Sequence, residues 1–313
     1  MFFKLRKLIA YTLVLLILCA VFSGCAVQTA YTPLIYKLQA DNGAVLYLFG
    51  SIHIGDEDTY PLPQTITDAY STSDYLAVEC DILAYESDLS AVTQIAQQMI
   101  CEPGKRIYDY VGEENYNSAV QLLKNYDLYY EEYDYFKPVF WISLLGEIPV
   151  NLSQLDAEMG IDRHFLQMAK KDGKPILEIE SVQQQINMQL NYSEPLQTLL
   201  FEQSLTDPAG QGLAVKLMYQ NWRQGSKLPL TSEMDYSREQ FIQLYGEAQG
   251  SLYHEYYYEL GEKRNIKMAD AAEQYLNEAK NVFYVVGAAH ISGKKGIVSL
   301  LRQRGYTVEK IEY

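Results

Sequence analysis

Two histidines stand in the same frame far apart in the chain, Gly50-Ser51-Ile52-His53 and Gly287-Ala288-Ala289-His290. Each frame follows an apolar, β-branched and aromatic run, Val45 to Phe49 and Val282 to Val286, of the kind that forms a buried strand. The chain has only 4 histidines, so a repeated frame selects two of them. Imidazole carries protons near neutral pH and is the commonest metal ligand. If the fold brings the two strand ends together, His53 and His290 form a reactive centre.

Carboxylates recur at similar places. The runs Tyr75 to Asp81 and Lys174 to Glu180 read as strands that finish on Glu79 with Asp81 and on Glu178 with Glu180. Glu178 and Glu180, two apart, fall on one strand face. In an open α/β sheet, ligands bind at the carboxyl ends of the strands. Two imidazoles with one or two carboxylates suit a divalent ion that keeps a position open for water, with a further carboxylate as general base. Strand-terminal carboxylates also serve as helix caps and salt-bridge partners, and that reading stays open for each of them. Arg264 reads as an oxyanion or carboxylate clamp, or as a solvated charge at a helix end. Asp162 opens a helical segment, Gly160 to His164. His164 lacks the glycine frame, and His254, among Tyr253, Tyr256, Tyr257 and Tyr258, reads as packing. Gly-x-Ser-x-Gly, HExxH, P-loop and GxGxxG motifs are all missing, so a serine or cysteine nucleophile has no support.

The elements that position these groups alternate at both ends of the chain. Leu34–Leu38 and Ala44–Gly50 form a hairpin around Asp41-Asn42-Gly43. A polar loop with Asp56, Glu57 and Asp58 leads into the helix Gln64–Ser71 and then the strand at Tyr75. The helix Ile161–Lys171 precedes the strand at Lys174, the helix Met268–Lys280 precedes the strand at Val282, and the helix Lys295–Arg304 precedes a last strand, Tyr306–Ile311. The pattern predicts an α/β fold with a mixed, mainly parallel sheet flanked by helices. From about residue 90 to 160 the spacing is helical and rich in tyrosine, which predicts an α-helical cap or insert.

Residues 1–24 have the build of a secretory signal: Lys4, Arg6 and Lys7, then an apolar run from Leu8 to Phe22. Phe22-Ser23-Gly24-Cys25 resembles a bacterial lipobox, which makes Cys25 the lipidation site, residues 25–32 a tether and residues 33–313 a single domain carrying the insert. The body of the protein is then expected outside the cytoplasmic membrane, anchored to it through Cys25. Losing the three basic residues of the signal takes the formal charge from −15 to −18. So acidic a surface excludes nucleic acid as a partner. Cys80 and Cys101 remain, and in an oxidising compartment they are able to pair.

The segments Leu46–Gly55, Tyr60–Pro63, Leu76–Asp81, Gly160–Asp162, Gly173–Glu180, Arg264-Asn265 and Val285–His290 resemble the TraB/GumN family, which includes PrgY pheromone-shutdown proteins and is similar to the Tiki proteases. The resemblance implies a fold like that of erythromycin esterases and haem-binding ChaN proteins. It also implies a peptidase that uses Mn, Co or Zn, with His53 and His290 as ligands and Glu79 as ligand or base. Asp81, Asp162, Glu178, Glu180 and Arg264 then support them. Erythromycin-esterase relatives with similar histidines imply instead a hydrolase with no ion. The expectation is a surface-tethered hydrolase acting on a peptide or protein. The alternative from another class is a lipoprotein that binds a peptide pheromone or haem without turnover. Cys80 departs from the aliphatic residue usual in the family, and the tyrosine-rich middle is the chain's own.

Overall fold

A computed structural model describes residues 31–225 and 238–313. The signal segment 1–24 and Cys25 lie outside the described residues, as does all of the tether before residue 31. The described chain divides into two compact units, one of residues 82–157 and 182–216, the other of residues 31–81, 158–181, 217–225 and 238–313. No described helix is long and apolar enough to cross a membrane.

The second unit holds a six-stranded sheet of β1 (Ile35–Gln39), β2 (Val45–Ser51), β3 (Tyr75–Val78), β4 (Ile176–Glu178), β5 (Val282–Gly287) and β6 (Val308–Lys310), in the order β4-β3-β5-β2-β1-β6. β4, β3, β5 and β2 run parallel, while β1 is antiparallel to both β2 and β6. This is the expected mixed, mainly parallel sheet flanked by helices. Ala40 and Ala44 still bond across the hairpin, which leaves three loop residues with Gly43 at φ +88°, a conformation that favours glycine.

β5 is the central strand, and Val282 to Val286 are all 0 % exposed. That explains its unbroken apolar run: a parallel strand covered on both faces has no polar side to alternate with. On one face Val282, Tyr284 and Val286 join Leu46, Leu48 and Ala77, covered by Met268, Ala269, Ala272 and Leu276 of the helix Lys263–Asn277 and by Ile297 and Leu301 of the helix Ile297–Gln303. On the other face Phe283 stacks on Phe49 at 5.7 Å between ring centroids and meets Phe165 at 4.7 Å and Tyr70 at 5.8 Å. Phe165 and Tyr70 come from the helices Ile161–Asp172 and Gln64–Ser71. Truncating Phe283 to alanine opens a cavity in this cluster, and urea unfolding is expected to show a loss of about 3–5 kcal/mol.

The register sets the site. Ser51 pairs with Gly287, Val78 with Val285, and Val78 with Glu178. The carboxyl ends of β2, β5, β3 and β4 therefore finish at one edge of the sheet. β3 and β4 are shorter than their sequence runs, so Glu79 and Glu180 lie just past the ladder, joined by the Glu180 N–H donating to the Glu79 carbonyl at 2.8 Å.

The first unit is helical. Its helix Pro138–Ser153 buries Trp141, whose Nε1 donates to the Tyr133 carbonyl at 2.9 Å. Tyr116 and Tyr129 donate to the two oxygens of Asp134, at 2.8 and 3.2 Å, while Tyr126, Tyr130 and Tyr135 are exposed. The tyrosines of this segment thus split between hydroxyls bonded to Asp134 and rings exposed at the surface.

Candidate functional site

The two glycines of the repeated frame sit at close approaches. A Cβ on Gly50 would lie 3.0 Å from the Ala288 Cβ, tight enough that the end of β2 and the turn after β5 would have to shift to admit it. The position a Cβ would take on Gly287 is 3.3 Å from Glu79 Oε1, 3.6 Å from His290 Cδ2 and 3.9 Å from His53 Nε2. Both imidazoles and the Glu79 carboxylate thus surround one bare stretch of backbone.

His53 is held from β2. Its Nδ1 lies 2.7 Å from Asp162 Oδ2, and the Ser51 hydroxyl donates to Asp162 Oδ1 at 2.8 Å. Asp162 sits in the first turn of the helix Ile161–Asp172, where the helix dipole favours a carboxylate. That helix start is pinned to the histidine by the Ile161 N–H, which donates to the Ile52 carbonyl at 2.9 Å. The loop beyond His53 is tied down too: Tyr219 donates to Asp56 at 2.6 Å and Tyr60 to the Met159 carbonyl at 2.9 Å. Burial pulls the His53 pKa down, but the charge and hydrogen bond of Asp162, with help from Glu79, lift it to about 9. One fifth of the side chain reaches solvent.

His290 lies in the one-turn helix Ala288–Ile291 and is 5 % exposed. Its Nδ1 is 2.6 Å from Asn265 Oδ1, and Asn265 Nδ2 donates to the Lys295 carbonyl at 2.9 Å. Burial first, and then the nearby Arg264 charge, push its pKa down to about 4. The two histidines share a frame yet differ in protonation, because one faces a carboxylate and the other an amide beside a guanidinium.

Glu79, 5 % exposed, accepts the Gly287 N–H on Oε1 at 2.7 Å and Arg264 Nη2 on Oε2 at 2.6 Å. Burial would raise its pKa, but Arg264, His290 and His53 hold it down at about 2. Arg264 also donates from Nε and Nη2 to Glu180, at 2.9 to 3.2 Å, and the two carboxylates hold its own pKa above the ordinary value against burial. Of its two sequence readings, the carboxylate clamp is the one the geometry displays.

His53, His290, Glu79, Asp162, Glu180 and Arg264 therefore converge. Asp81 and Glu178 take other partners: the Asp81 N–H donates to Glu178 Oε1 at 2.8 Å, and Lys170 lies 3.3 Å from Asp81. The same-face relation of Glu178 and Glu180 fails because β4 ends at Glu178, leaving that residue exposed and Glu180 buried. His164 packs at a tilt against Tyr60 at 4.4 Å and His254 stacks on Tyr258 at 5.2 Å, both packing roles. Cys80 and Cys101 are free, buried thiols. The sequence reading missed Ser51 and Asn265, although Ser51 lies inside the first frame and Asn265 directly follows Arg264. A π-helical turn at Tyr258–Glu262 precedes this pair, and such turns often mark functional sites.

The fit of a metal ion turns on the donors. Each imidazole has Nδ1 tied to an oxygen acceptor and Nε2 left over, which is how metal-bound histidines are oriented. Glu79 has both oxygens engaged by Gly287 and Arg264. Among the described residues, no three His, Cys, Asp or Glu groups are placed to hold an ion together. The arrangement offers two donors and does not fit a His–His–Glu site.

A family model described as TraB/PrgY/gumN family matches residues 34–310. The chain is also 30 % identical over 151 residues to the uncharacterised protein YbaP of Escherichia coli strain K12, and equally to YbaP of Shigella flexneri. Each match covers 46 % of this chain and 51 % of YbaP, so the chain spans about half the length of these curated relatives. No solved structure matches.

Proposed function

The chain belongs to the TraB/PrgY/gumN family, and on that premise we propose that it is a hydrolase acting on a peptide or protein. The observation that carries the reading is the pair of imidazoles facing Gly287, with pKa values pushed apart to about 9 and about 4. Titratable neighbours driven in opposite directions suit acid and base roles. At neutral pH His290 Nε2 is unprotonated and accepts a proton from water as its oxygen attacks the scissile carbonyl carbon. His53, protonated and steadied by Asp162, gives its Nε2 proton to the leaving nitrogen as the C–N bond breaks. Solvent then returns the proton from His290 to His53. Arg264 fixes Glu79, whose charge favours the protonated His53.

The alternative is a metal-dependent form of the same activity, in which the two Nε2 atoms would hold Mn, Co or Zn; Glu79, engaged by Gly287 and Arg264, is not placed as a third ligand. In either form Cys25 carries the lipid, the body of the protein lies outside the cytoplasmic membrane, and the substrate is met near the cell surface.

The test incubates the full chain with a pool of fluorescence-quenched peptides and identifies new termini by mass spectrometry. Cleavage is expected, and it should survive exhaustive chelation if the acid–base form holds. Loss on chelation with recovery on adding Mn²⁺, Co²⁺ or Zn²⁺ would select the metal-dependent form. Stoichiometric retention of a peptide or haem with no new termini over hours would overturn hydrolysis in favour of binding.

A further inference from the structure

Asn265 is 3 % exposed and stands between His290 and the loop that follows it. A carboxamide can face either way, and the two ends differ: the nitrogen only donates and the oxygen only accepts. Here the Lys295 carbonyl settles the choice, because it can accept only from Nδ2, at 2.9 Å. Oδ1 is therefore the end turned toward His290, 2.6 Å from Nδ1. A carbonyl oxygen at that distance needs a hydrogen on Nδ1. In a neutral ring the one N–H is then on Nδ1, and Nε2 carries a lone pair. Free imidazole side chains in water prefer the opposite tautomer, with the hydrogen on Nε2, so the fold must impose this one.

Resting on the hydrolase reading of the same pair, we propose that Asn265 is the positioning residue that fixes His290 in its Nδ1–H tautomer and so leaves the lone pair on Nε2. The chain of causes has three links. The backbone of Lys295 orients the amide, the amide selects the tautomer, and the tautomer makes the ring an acceptor. Asp162 holds Nδ1 of His53 from a different element and favours its protonated ring, itself held by the Ser51 hydroxyl. One imidazole is thus served by a carboxylate stapled to its own strand, the other by an amide stapled to the loop beyond it. The inference concerns which nitrogen presents the lone pair, and it holds whether that lone pair takes a proton or binds an ion.

The experiment records two-bond ¹H–¹⁵N spectra of the full chain labelled with ¹⁵N-histidine at neutral pH. Only four histidines contribute, and the His290 pattern is the one missing from His290→Gln. The wild-type chain is expected to show His290 with hydrogen on Nδ1 and a bare Nε2. Asn265→Leu, similar in volume but without an acceptor, should move the hydrogen to Nε2 in most molecules and lower kcat on the quenched-peptide pool at least tenfold. Asn265→Asp, which keeps an acceptor, should leave Nδ1 protonated. A wild-type spectrum with hydrogen on Nε2 of His290 and none on Nδ1 overturns the proposal without any variant. So does an Asn265→Leu spectrum unchanged at His290. The expected spectra with no peptide cleavage by any form would uphold the role of Asn265 and fault the hydrolase reading alone.

Discussion

Arg264→Met is expected to lower stability at neutral pH by about 3–5 kcal/mol, because it leaves two buried carboxylates without their cation. Glu79 and Glu180 are 5 % and 8 % exposed, and Arg264 donates to both at 2.6 to 3.2 Å. Methionine fills much of the same volume, so the loss measures charge and hydrogen bonding more than a cavity. The signature is its pH dependence. Unpaired in the variant, the Glu79 carboxylate takes up a proton far more readily, so the gap between wild type and variant narrows as pH falls from 7 toward 4.5. Urea midpoints at the two values read this directly. A triple variant, Glu79→Gln/Arg264→Met/Glu180→Gln, should recover much of the loss, since neutral groups there demand no counter-charge. A gap that stays constant with pH would mean that Arg264 acts by packing.

The second large effect is a stability optimum bounded by the two histidines. The folded-state pKa of His53 is raised from 6.5 to about 9, so its contribution is fully present below pH 6.5 and is lost as pH rises through 9. The amount is on the order of 3 kcal/mol. His290 is depressed from 6.5 to about 4, so the folded chain resists its protonation and loses stability as pH falls from 6.5 toward 4. Glu79, held at about 2 against 4.5, extends that acid loss as pH falls from 4.5 through 2. Stability measured by urea unfolding from pH 4 to 9.5 is expected to peak near 6.5. Asp162→Asn removes the charge that raises His53, so its alkaline limb should flatten while its acid limb stays. An alkaline limb unchanged in Asp162→Asn would contradict the assignment.

Much of this architecture is legible in the sequence because its signals are local. The unbroken apolar run at Val282–Val286 marks a strand buried on both faces, and the glycine at the end of each strand marks a close approach there. The frame of His53 and His290 needs no alignment to be seen. What is not legible arises from long-range pairing. Glu79 and Arg264 stand 185 positions apart, and nothing in either segment shows that the guanidinium spends its donors on two carboxylates. That pairing decides whether Glu79 is open to an ion or engaged. Asn265 is silent for a similar reason, since its meaning depends on which carbonyl its nitrogen finds. Glu178 and Glu180 illustrate a third limit: period-two alternation holds only while the strand lasts, and β4 ends between them.

If His53 and His290 perform hydrolysis together, removing either should cost nearly as much as removing both. Initial rates on the quenched-peptide pool are compared for wild type, His53→Ala, His290→Ala and the double variant, each scaled to its folded fraction. Residues that act as one unit give single losses nearly as large as the double loss. A fall of about 10²–10⁴ is expected for each single variant, with little further loss in the double. Wild-type rates in both single variants, at equal folded fraction, would contradict it.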